Sequence, residues 1–250
     1  MKKLIYLFFC FSLITFGQNT LIPDPNFEQA LIDLGYDTAP INGFVLTANI
    51  SGIISLDVSN NNIADLTGIE DFNSLTDLFC SENQLENLDF SNNTDLTYLS
   101  CGGNQLTTID ISNNTDLTYL SCLGNQLTTI DVSNNTELTY LRIDFNVLTS
   151  LDVSNNPALT FLQCNANLLL SLDVRNGNNT NFTLFNSTNN PDLICIFVDD
   201  ADYSTTNWTD IDPASTFVNN EAECDEFNQT TAIPDPNFEQ ALIDLGYDTA

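Results

Sequence analysis

Residues 96–116 read Leu-Thr-Tyr-Leu-Ser-Cys-Gly-Gly-Asn-Gln-Leu-Thr-Thr-Ile-Asp-Ile-Ser-Asn-Asn-Thr-Asp. The same pattern recurs with a period of 21 residues, in copies that begin at Leu75, Leu96, Leu117, Leu138 and Leu159. A fixed period of this length indicates a solenoid, in which each copy forms one coil and stacks on the next. We number the positions of a coil from its first leucine, so that the leucine stands at position 1.

Apolar residues recur at positions 1, 4, 6, 11, 14 and 16 of the copies, and position 9 is always asparagine. Positions 4 and 6 alternate with polar neighbours, which predicts a short strand around positions 3 to 7. Strands of successive coils should stack in parallel, about 4.8 Å apart. A coil of this length has little room for a helix on its outer side, so we expect extended or short 3₁₀ segments there.

The pattern L-x-x-L-x-C-x-x-N-x-L resembles the leucine-rich repeat with cysteine at its third apolar position. An earlier repeat that begins at Ile53 runs for 22 residues, and it resembles the bacterial internalin-type repeat more than the later copies do. The resemblance implies a leucine-rich-repeat solenoid with a curved parallel β-sheet on its concave side. It also implies a secreted or cell-surface adhesion module that recognises a protein or a glycan through that sheet.

Two columns of like residues run along the stacked coils. The asparagines at position 9 are expected to satisfy backbone groups where the chain leaves each strand, which is a structural role. The cysteines at position 6 share their column with Ile143, so the column selects a small apolar side chain and we expect free, buried thiols. Disulfides along the column are the alternative, although stacked side chains lie slightly beyond the usual Cβ separation of about 3.5–4.5 Å. The four column cysteines are Cys80, Cys101, Cys122 and Cys164.

Residues 1–17 read as a secretory signal, with Lys2 and Lys3 before an apolar run and small residues around Gly17. The apolar run is too short for a membrane span, and we expect no membrane insertion of the mature chain. Residue Phe9 before Cys10 does not fit a lipoprotein anchor. Export would place the chain where disulfides form.

Residues 18–52 are predicted to form an N-terminal cap. Asp24 can cap a helix that starts at Pro25 and ends near Gly35. The helix would carry one apolar face, which covers the open end of the repeats in 53–198. The residues of that face are Phe27, Ala30, Leu31 and Leu34.

The regular period stops after Val174, and residues 199–232 are predicted to form an irregular C-terminal cap. Leu193, Ile196 and Val198 match positions 1, 4 and 6 of a further coil. That register would place Cys195 on the outward side of a strand, and we expect a disulfide between Cys195 and Cys224 that clips the cap to the last coil.

Residues 233–250 repeat residues 22–39 without a change. We interpret them as the start of a second, truncated copy of the N-terminal cap within a longer tandem array. A single cap helix has no core of its own to cover, so it should dock weakly or be disordered.

The charge of the chain excludes several classes of function. It contains 34 acidic residues, 4 lysines and arginines and no histidine, so its net charge is −30. Nucleic acids and anionic membranes need basic contacts, and Arg142 and Arg175 are the only cations beyond the signal. The lack of histidine excludes a histidine-based triad, and no phosphate-binding loop or nucleophile elbow is present. We expect neither enzymatic activity nor a bound cofactor.

The exposed face of the predicted sheet carries an aromatic row at position 3, beside residues that break the pattern in the fourth copy. Tyrosine and arginine often anchor protein interfaces. The alternative is that the rings only stack on one another along the sheet. The candidate binding residues are Tyr98, Tyr119, Tyr140, Phe161, Arg142, Asp144, Phe145 and Gln163.

An aspartate column follows the predicted outer edge of the coils. Stacked carboxylates repel each other unless turn amides or a cation such as Ca²⁺ neutralise them, and capping of turns is the alternative to metal binding. A second hypothesis for the whole chain is therefore a rigid acidic spacer in a surface array, stiffened by Ca²⁺ or not. The candidate ligands are Asp89, Asp110, Asp131, Asp152 and Asp173.

Overall fold

The structure is a computed structural model, and it describes residues 17–229 and 236–245. Within those residues the strands all have three residues. They are β1 (Asn19–Leu21), β2 (Phe44–Leu46), β3 (Ser55–Asp57), β4 (Asp77–Phe79), β5 (Tyr98–Ser100), β6 (Tyr119–Ser121), β7 (Tyr140–Arg142), β8 (Ser150–Asp152), β9 (Phe161–Gln163), β10 (Ser171–Asp173), β11 (Leu184–Asn186), β12 (Cys195–Phe197) and β13 (Thr216–Val218). The helices are α1 (Pro25–Asp33), α2 (Thr47–Ile50), α3 (Ala201–Asn207), α4 (Glu221–Gln229) and α5 (Pro236–Asp244), with 3₁₀ turns at Ile69–Asp71 and Asn179–Asn181.

A parallel sheet of seven strands, here called the main sheet, runs along the solenoid in the order β11-β9-β7-β6-β5-β4-β3. Its strands occupy positions 3 to 5 of their coils and pair in register, so that Leu99 lies opposite Leu120 and Leu120 opposite Leu141. The predicted solenoid with one short parallel strand per coil is confirmed. The strand ends at position 5, two residues earlier than the predicted limit.

A second parallel sheet of four strands, in the order β13-β12-β10-β8, forms at positions 13 to 15 of the later coils. The outer side otherwise contains extended chain and the two 3₁₀ turns, as the length of the repeat predicted. Among the later coils, Leu151 pairs with Leu172 and Leu172 with Ile196. This last pairing shows that Ile196 stands at position 14 and not at position 4.

The register of Leu193, Ile196 and Val198 therefore differs from the prediction. Strand β11 continues the main sheet, and its Phe185 lies opposite Leu162 at position 4. Strand β12 belongs to the second sheet, and Cys195 is 4% exposed rather than outward-facing. The coil between β10 and β12 contains extra residues. The apolar spacing of Leu193, Ile196 and Val198 matches positions 1, 4 and 6 of a coil, but it matches positions 11, 14 and 16 equally well.

One continuous hydrophobic core fills the solenoid. Positions 1, 4, 6, 11 and 16 of the regular copies are buried, and burial of a leucine side chain contributes about 1.5–3 kcal/mol. Position 14 is half-buried at Leu88, Ile109 and Ile130 but buried at Leu151 and Leu172, where the second sheet has formed. The four column cysteines are free and buried, as predicted.

The asparagines at position 9 form a ladder that fastens neighbouring coils. The Oδ1 atom of Asn104 accepts a hydrogen bond from the Leu85 N–H of the preceding coil at 3.1 Å. Its Nδ2 atom donates to the carbonyl oxygens of Cys101 and Cys80, at 2.9 and 3.1 Å. The predicted structural role is confirmed, and Asn190 extends the ladder beyond the regular copies.

A second asparagine ladder stands at position 19. Asn135 is buried, and its Nδ2 atom donates to the carbonyl oxygens of Asn114 and Ile111, at 2.8 and 3.2 Å. The Oδ1 atoms of this ladder accept no protein hydrogen bond. Its members are Asn93, Asn114, Asn135 and Asn156.

The carboxylate of Asp24 ties the N-terminal cap to the first repeat. The Oδ1 atom of Asp24 accepts from the backbone of Asn26 and Phe27 at the start of α1. Its Oδ2 atom accepts from the N–H groups of Ala64 and Asp65, at 2.7 and 3.0 Å. Asp24 therefore caps the helix and holds it against the coil that the helix covers.

The predicted apolar face of α1 is buried at Phe27, Ala30 and Leu31, whereas Leu34 is 44% exposed and lies outside the core. Gly35 ends the helix with φ of 80°, the left-handed conformation that favours glycine. Strands β1 and β2 form an antiparallel pair beside the helix.

The C-terminal cap closes the other end. Trp208 is 7% exposed and stacks on Phe185 with ring centroids 4.3 Å apart. The predicted disulfide is present and joins Cys195 of β12 to Cys224 of α4. Arg175 adds an ion pair from the last regular coil to Glu221.

The predicted signal lies outside the described residues except for Gly17, and so do residues 230–235 and 246–250 of the C-terminal region. The described part of the repeated cap segment forms helix α5. In α1 the side chain of Phe27 is fully buried, whereas its counterpart Phe238 in α5 is 58% exposed.

Candidate functional site

Five aromatic rings form a stack across the main sheet. The centroids of Tyr98 and Tyr119 are 3.9 Å apart with an interplanar angle of 6°. Those of Tyr119 and Tyr140 are 4.2 Å apart, and those of Tyr140 and Phe161 are 4.0 Å apart. Phe79 continues the stack from position 5 of its coil at 4.8 Å from Tyr98, with a tilt of 36°. The in-register pairing of the strands places the rings at these distances.

This stacking covers the faces of the inner rings. A ring that lies parallel to two neighbours at about 4 Å presents its edge and its hydroxyl group to solvent, because both faces are in contact. Stacked aromatic pairs contribute about 0.5–1.5 kcal/mol beyond their area burial. The row therefore stabilises the sheet, and it also presents a line of ring edges and phenol hydroxyls.

The hydroxyls of Tyr119 and Tyr140 remain protonated at neutral pH. Burial raises the pKa of Tyr119, and hydrogen bonding with Tyr98 adds to the increase. Burial, followed by the proximity of Tyr119, raises the pKa of Tyr140 to about 12. These phenols can therefore donate and accept hydrogen bonds across the physiological pH range.

An ion pair interrupts the row of small polar residues at position 5. Arg142 stands where the two preceding copies have Ser100 and Ser121, and its Nε atom donates to Oδ1 of Asp144 at 2.9 Å. The Asp144 side chain is fully buried, whereas that of Arg142 is 35% exposed. The hydrogen bond to Asp144 raises the pKa of Arg142, so the guanidinium stays charged. Asp144 supports Arg142 and has no exposed surface of its own.

Phe145 adopts a backbone conformation that its side chain disfavours. Its φ is 54°, in the left-handed region, and its side chain is 59% exposed. Position 8 is left-handed in every regular copy, with φ of 65° and 61° at Gly103 and Gly124 and of 56° and 54° at Glu82 and Ala166. A non-glycine residue held there costs of order 1–3 kcal/mol. Phe145 lies in the turn after the strand and not on the main sheet.

The structure thus divides the candidate binding residues into three groups. Asp144 is buried, and Phe145 lies in the adjoining turn. The others lie on the outward face of the main sheet, and they are Tyr98, Tyr119, Tyr140, Phe161, Arg142 and Gln163.

Sequence reasoning missed an exposed apolar row beside the main sheet, at positions 10 and 12. Earlier copies have glutamine, glutamate or threonine at these positions, and the replacement of those polar residues is the signal that could have revealed the row. Its members are Val147, Leu168, Leu170 and Ile194.

The aspartates of the outer column cap turns. The Oδ1 atom of Asp110 accepts from the Ser112 N–H at 3.0 Å, and the same contact recurs in the other coils. Hydrogen bonds from the Ser112 side chain and backbone lower the pKa of Asp110. Among the described residues, no group of three acidic or cysteine side chains is placed to hold a metal ion.

A groove of about 450 Å³ lies between the first two repeats on the outer side, away from the aromatic row. Three carboxylates, those of Asp65, Glu70 and Asp89, contribute to its lining. Each accepts a hydrogen bond from a backbone N–H two residues away, from Thr67, Gly68 and Ser91. These contacts give the carboxylates of this groove a local structural role.

The solved structures that resemble this chain are leucine-rich-repeat proteins. The functional domain of InlJ from Listeria monocytogenes, described as including a cysteine ladder, is 33% identical with a TM-score of 0.66, over 80% of this chain and 48% of that one. An internalin, InlF, from the same organism is 24% identical with a TM-score of 0.54, over 72% and 52% of the two chains. A leucine-rich-repeat protein of Leptospira interrogans is 20% identical with a TM-score of 0.52, over 72% and 48%.

The chain spans about half the length of these solved proteins. No protein-family model and no curated protein matches the sequence. In the part of the chain that the structure describes, no helix has the length and apolar character needed to cross a membrane. The 21-residue coils, the parallel sheets, the column of buried cysteines and the likeness to InlJ agree with one another. The chain is an internalin-like leucine-rich-repeat protein.

Proposed function

We propose that the chain is a non-enzymatic adhesion module of an exported protein, and that it binds a protein ligand on the outward face of the main sheet. The observation that carries the proposal is the aromatic stack at position 3, which ends beside Arg142 and Gln163. Tyrosine and arginine are the residue types most enriched at the energetic centres of protein interfaces. The internalin-like neighbours support a binding role of this general kind.

The ring geometry favours a protein over a glycan. A sugar packs against an aromatic ring through the ring face, and the faces of Tyr119 and Tyr140 are covered by their neighbours. What remains outward is a line of ring edges, hydroxyls and one guanidinium. The ring edges can contact apolar side chains of a protein ligand. The phenol and guanidinium groups can donate hydrogen bonds to its backbone carbonyl oxygens.

The disulfide and the net charge of the chain support an exported location. The disulfide between Cys195 and Cys224 belongs to oxidising compartments such as the cell exterior. The strong negative charge keeps an extracellular domain soluble, and it disfavours nucleic acids and anionic membranes as partners. We infer that residues 1–17 direct this export.

The experiment compares binding of the labelled, purified chain with that of two variants on intact cells and on extracellular matrix. Tyr119→Ser with Tyr140→Ser removes the centre of the stack, and Tyr119→Phe with Tyr140→Phe keeps the stack and removes two hydroxyls. Phe44→Ser is the matched control, because Phe44 is a partly exposed aromatic residue of the N-terminal cap. We expect the serine pair to lose binding and the control to retain it.

Treating the target surface identifies the ligand class. Protease treatment should abolish binding, and glycosidase treatment should leave it unchanged. Binding that survives protease and disappears with glycosidase would replace the protein ligand with a glycan. Equal binding by the wild type and the serine pair would contradict the proposed face.

The second candidate function is an acidic spacer in a tandem surface array. Its support is that the rings satisfy one another, so sheet packing alone accounts for tyrosine at position 3. The unchanged repetition of residues 22–39 in residues 233–250 also fits an array of modules. A spacer would show no surface binding in the experiment above, whatever the variant.

A further inference from the structure

Positions 10 and 12 of the coils change from polar to apolar along the solenoid. The three preceding regular copies carry Gln84, Gln105 and Gln126 at position 10, with Glu86, Thr107 and Thr128 at position 12. In the later coils apolar side chains replace them at position 10 (Val147 and Leu168) and at position 12 (Leu170 and Ile194), whereas the fourth copy keeps Thr149 at position 12. Their exposed fractions are 39% for Val147, 53% for Leu168, 63% for Leu170 and 40% for Ile194.

The pairing of the coils makes these residues one continuous surface. The Val147 N–H donates to Leu127 O, and the Leu168 N–H donates to Leu148 O at 3.0 Å, so Val147 and Leu168 occupy equivalent places in adjacent coils. Leu169 is fully buried between Leu168 and Leu170, which turns both of those side chains outward. The pairing of Leu172 with Ile196 sets Ile194 beside Leu170 in the next coil.

Phe145 adds to this surface from the turn that precedes Val147. It is 59% exposed and keeps a left-handed φ where two preceding copies have glycine. The core gains nothing from an exposed phenylalanine in a disfavoured conformation. The same left-handed turn contains Glu82 and Ala166 in two other copies, so the conformation belongs to the repeat, and the exposed apolar ring is what distinguishes Phe145.

The overall charge of the chain favours a basic partner over an acidic one. In the part of the chain that the structure describes, the cations are Arg142 and Arg175, and each is paired with an aspartate. The exposed carboxylates of Asp152 and Asp192 belong to the same coils as the apolar residues. A second copy of this chain would bring another −30 of charge, so like-charge repulsion opposes self-association.

We propose that Phe145, Val147, Leu168, Leu170 and Ile194 form a second docking surface, separate from the main sheet, for a protein segment with apolar side chains and a basic rim. A contiguous exposed apolar patch on a soluble protein marks an interaction site. A basic rim complements the unpaired carboxylates of this chain and disfavours acidic partners. We name this set the flank surface.

The test uses two synthetic amphipathic peptides of equal length, one built from leucine and lysine and the other from leucine and glutamate. Binding to the full chain is measured by calorimetry. The variant Val147→Gln with Leu168→Gln restores the residue that Gln105 and Gln126 supply in the earlier copies, so the fold tolerates it. Leu21→Gln with Leu46→Gln is the matched control, because both leucines are exposed on the N-terminal cap.

We expect the lysine peptide to bind the wild type, the flank variant to bind it about tenfold more weakly, and the control to match the wild type. The glutamate peptide should not bind. Equal binding of the lysine peptide to all three proteins would mean diffuse charge attraction and would overturn the proposal. Concentration-dependent dimerisation of the wild type that the flank variant abolishes would also overturn it, because a second copy would then cover the surface.

The Tyr119→Ser and Tyr140→Ser pair separates this proposal from the proposed function. We expect that pair to bind the lysine peptide with unchanged affinity, because the flank surface lies outside the aromatic row. Loss of peptide binding in that pair would assign the peptide to the main sheet and contradict a separate flank surface.

Discussion

The guanidinium of Arg142 is bonded to a carboxylate that has no access to water. Its Nε atom lies 2.9 Å from Oδ1 of Asp144, whose side chain is fully buried. A buried charge is stabilised only by its partners, so removing one member of such a pair costs more than the pair contributes. The preceding copy, which begins at Leu117, has Ser121 and Leu123 at the same two positions and folds without a charge there.

We therefore predict that Arg142→Ser lowers the free energy of unfolding by about 2–3 kcal/mol, since it leaves Asp144 buried and unpaired while Arg142 itself is partly solvated. Urea unfolding followed by circular dichroism measures the loss. The double variant Arg142→Ser with Asp144→Leu should recover most of this loss, because it has the same residue types as Ser121 and Leu123 in the preceding copy. If the double variant is no more stable than the single one, the ion pair does not explain the cost.

The position 9 ladder makes a second prediction. Asn125 accepts from the Leu106 N–H and donates to the carbonyl oxygens of Cys101 and Cys122. Replacement by alanine leaves these buried groups without partners, at about 1–3 kcal/mol for an unsatisfied group. We expect Asn125→Ala to cost about 3 kcal/mol in urea unfolding.

Two asparagines serve as controls for this ladder. Asn134 is exposed, and Asn134→Ala should change stability by less than about 0.5 kcal/mol. Asn135 belongs to the second ladder and has donor contacts only, so Asn135→Ala should cost less than Asn125→Ala. Equal effects at Asn125 and Asn134 would show that water replaces the ladder.

The repeat in the sequence predicts most of this fold. The period fixed the coil length, and the alternation at positions 4 and 6 located the main-sheet strands. The second asparagine ladder was not predicted, because Asn134 and Asn135 adjoin in a turn and the sequence does not say which one points inward. The predicted register of Ile196 was wrong. Extra residues lengthen its coil and place Ile196 at position 14, although the local apolar spacing also fits position 4.

The candidate site was less predictable for a related reason. Strict alternation places position 7 on the outward face, but the strand ends at position 5 and the chain then turns toward the core, which buries Asp144. The flank surface was missed because it depends on departures from the repeat and not on the repeat itself. Ring stacking follows from strand register, whereas the binding role of the rings remains a proposal.

The disulfide gives a third prediction. The pair Cys195→Ser with Cys224→Ser opens a loop of 29 residues between the last coil and helix α4. The lost constraint on the unfolded chain corresponds to about 3–4 kcal/mol in the chain-entropy account. Calorimetric melting should show a lower melting temperature for this variant, and a reducing agent should lower the wild type to the same value. A reducing agent that destabilises the variant further would mean that another disulfide contributes.

The buried thiols predict how stability changes at alkaline pH. Burial raises the pKa of Cys101 and of Cys164 from the ordinary value of 9.0 to about 12, and it raises the pKa of Cys80 and Cys122 as well. Above about pH 9 the unfolded chain releases thiol protons that the folded chain retains, so the unfolded state binds fewer protons and stability falls as pH rises. Each thiol contributes a slope of up to roughly 1.4 kcal/mol per pH unit between these values.

We expect urea midpoints to fall steeply between pH 9 and pH 11, and Cys101→Val to make the fall shallower by the share of one thiol. The valine should fit, because Ile143 fills the same column in the fourth copy. Cys195 and Cys224 are joined in the disulfide and carry no thiol proton, so they do not contribute to this slope. A Cys101→Val variant with the same pH slope as the wild type would show that other groups, such as Tyr140 with its pKa of about 12, dominate the alkaline loss.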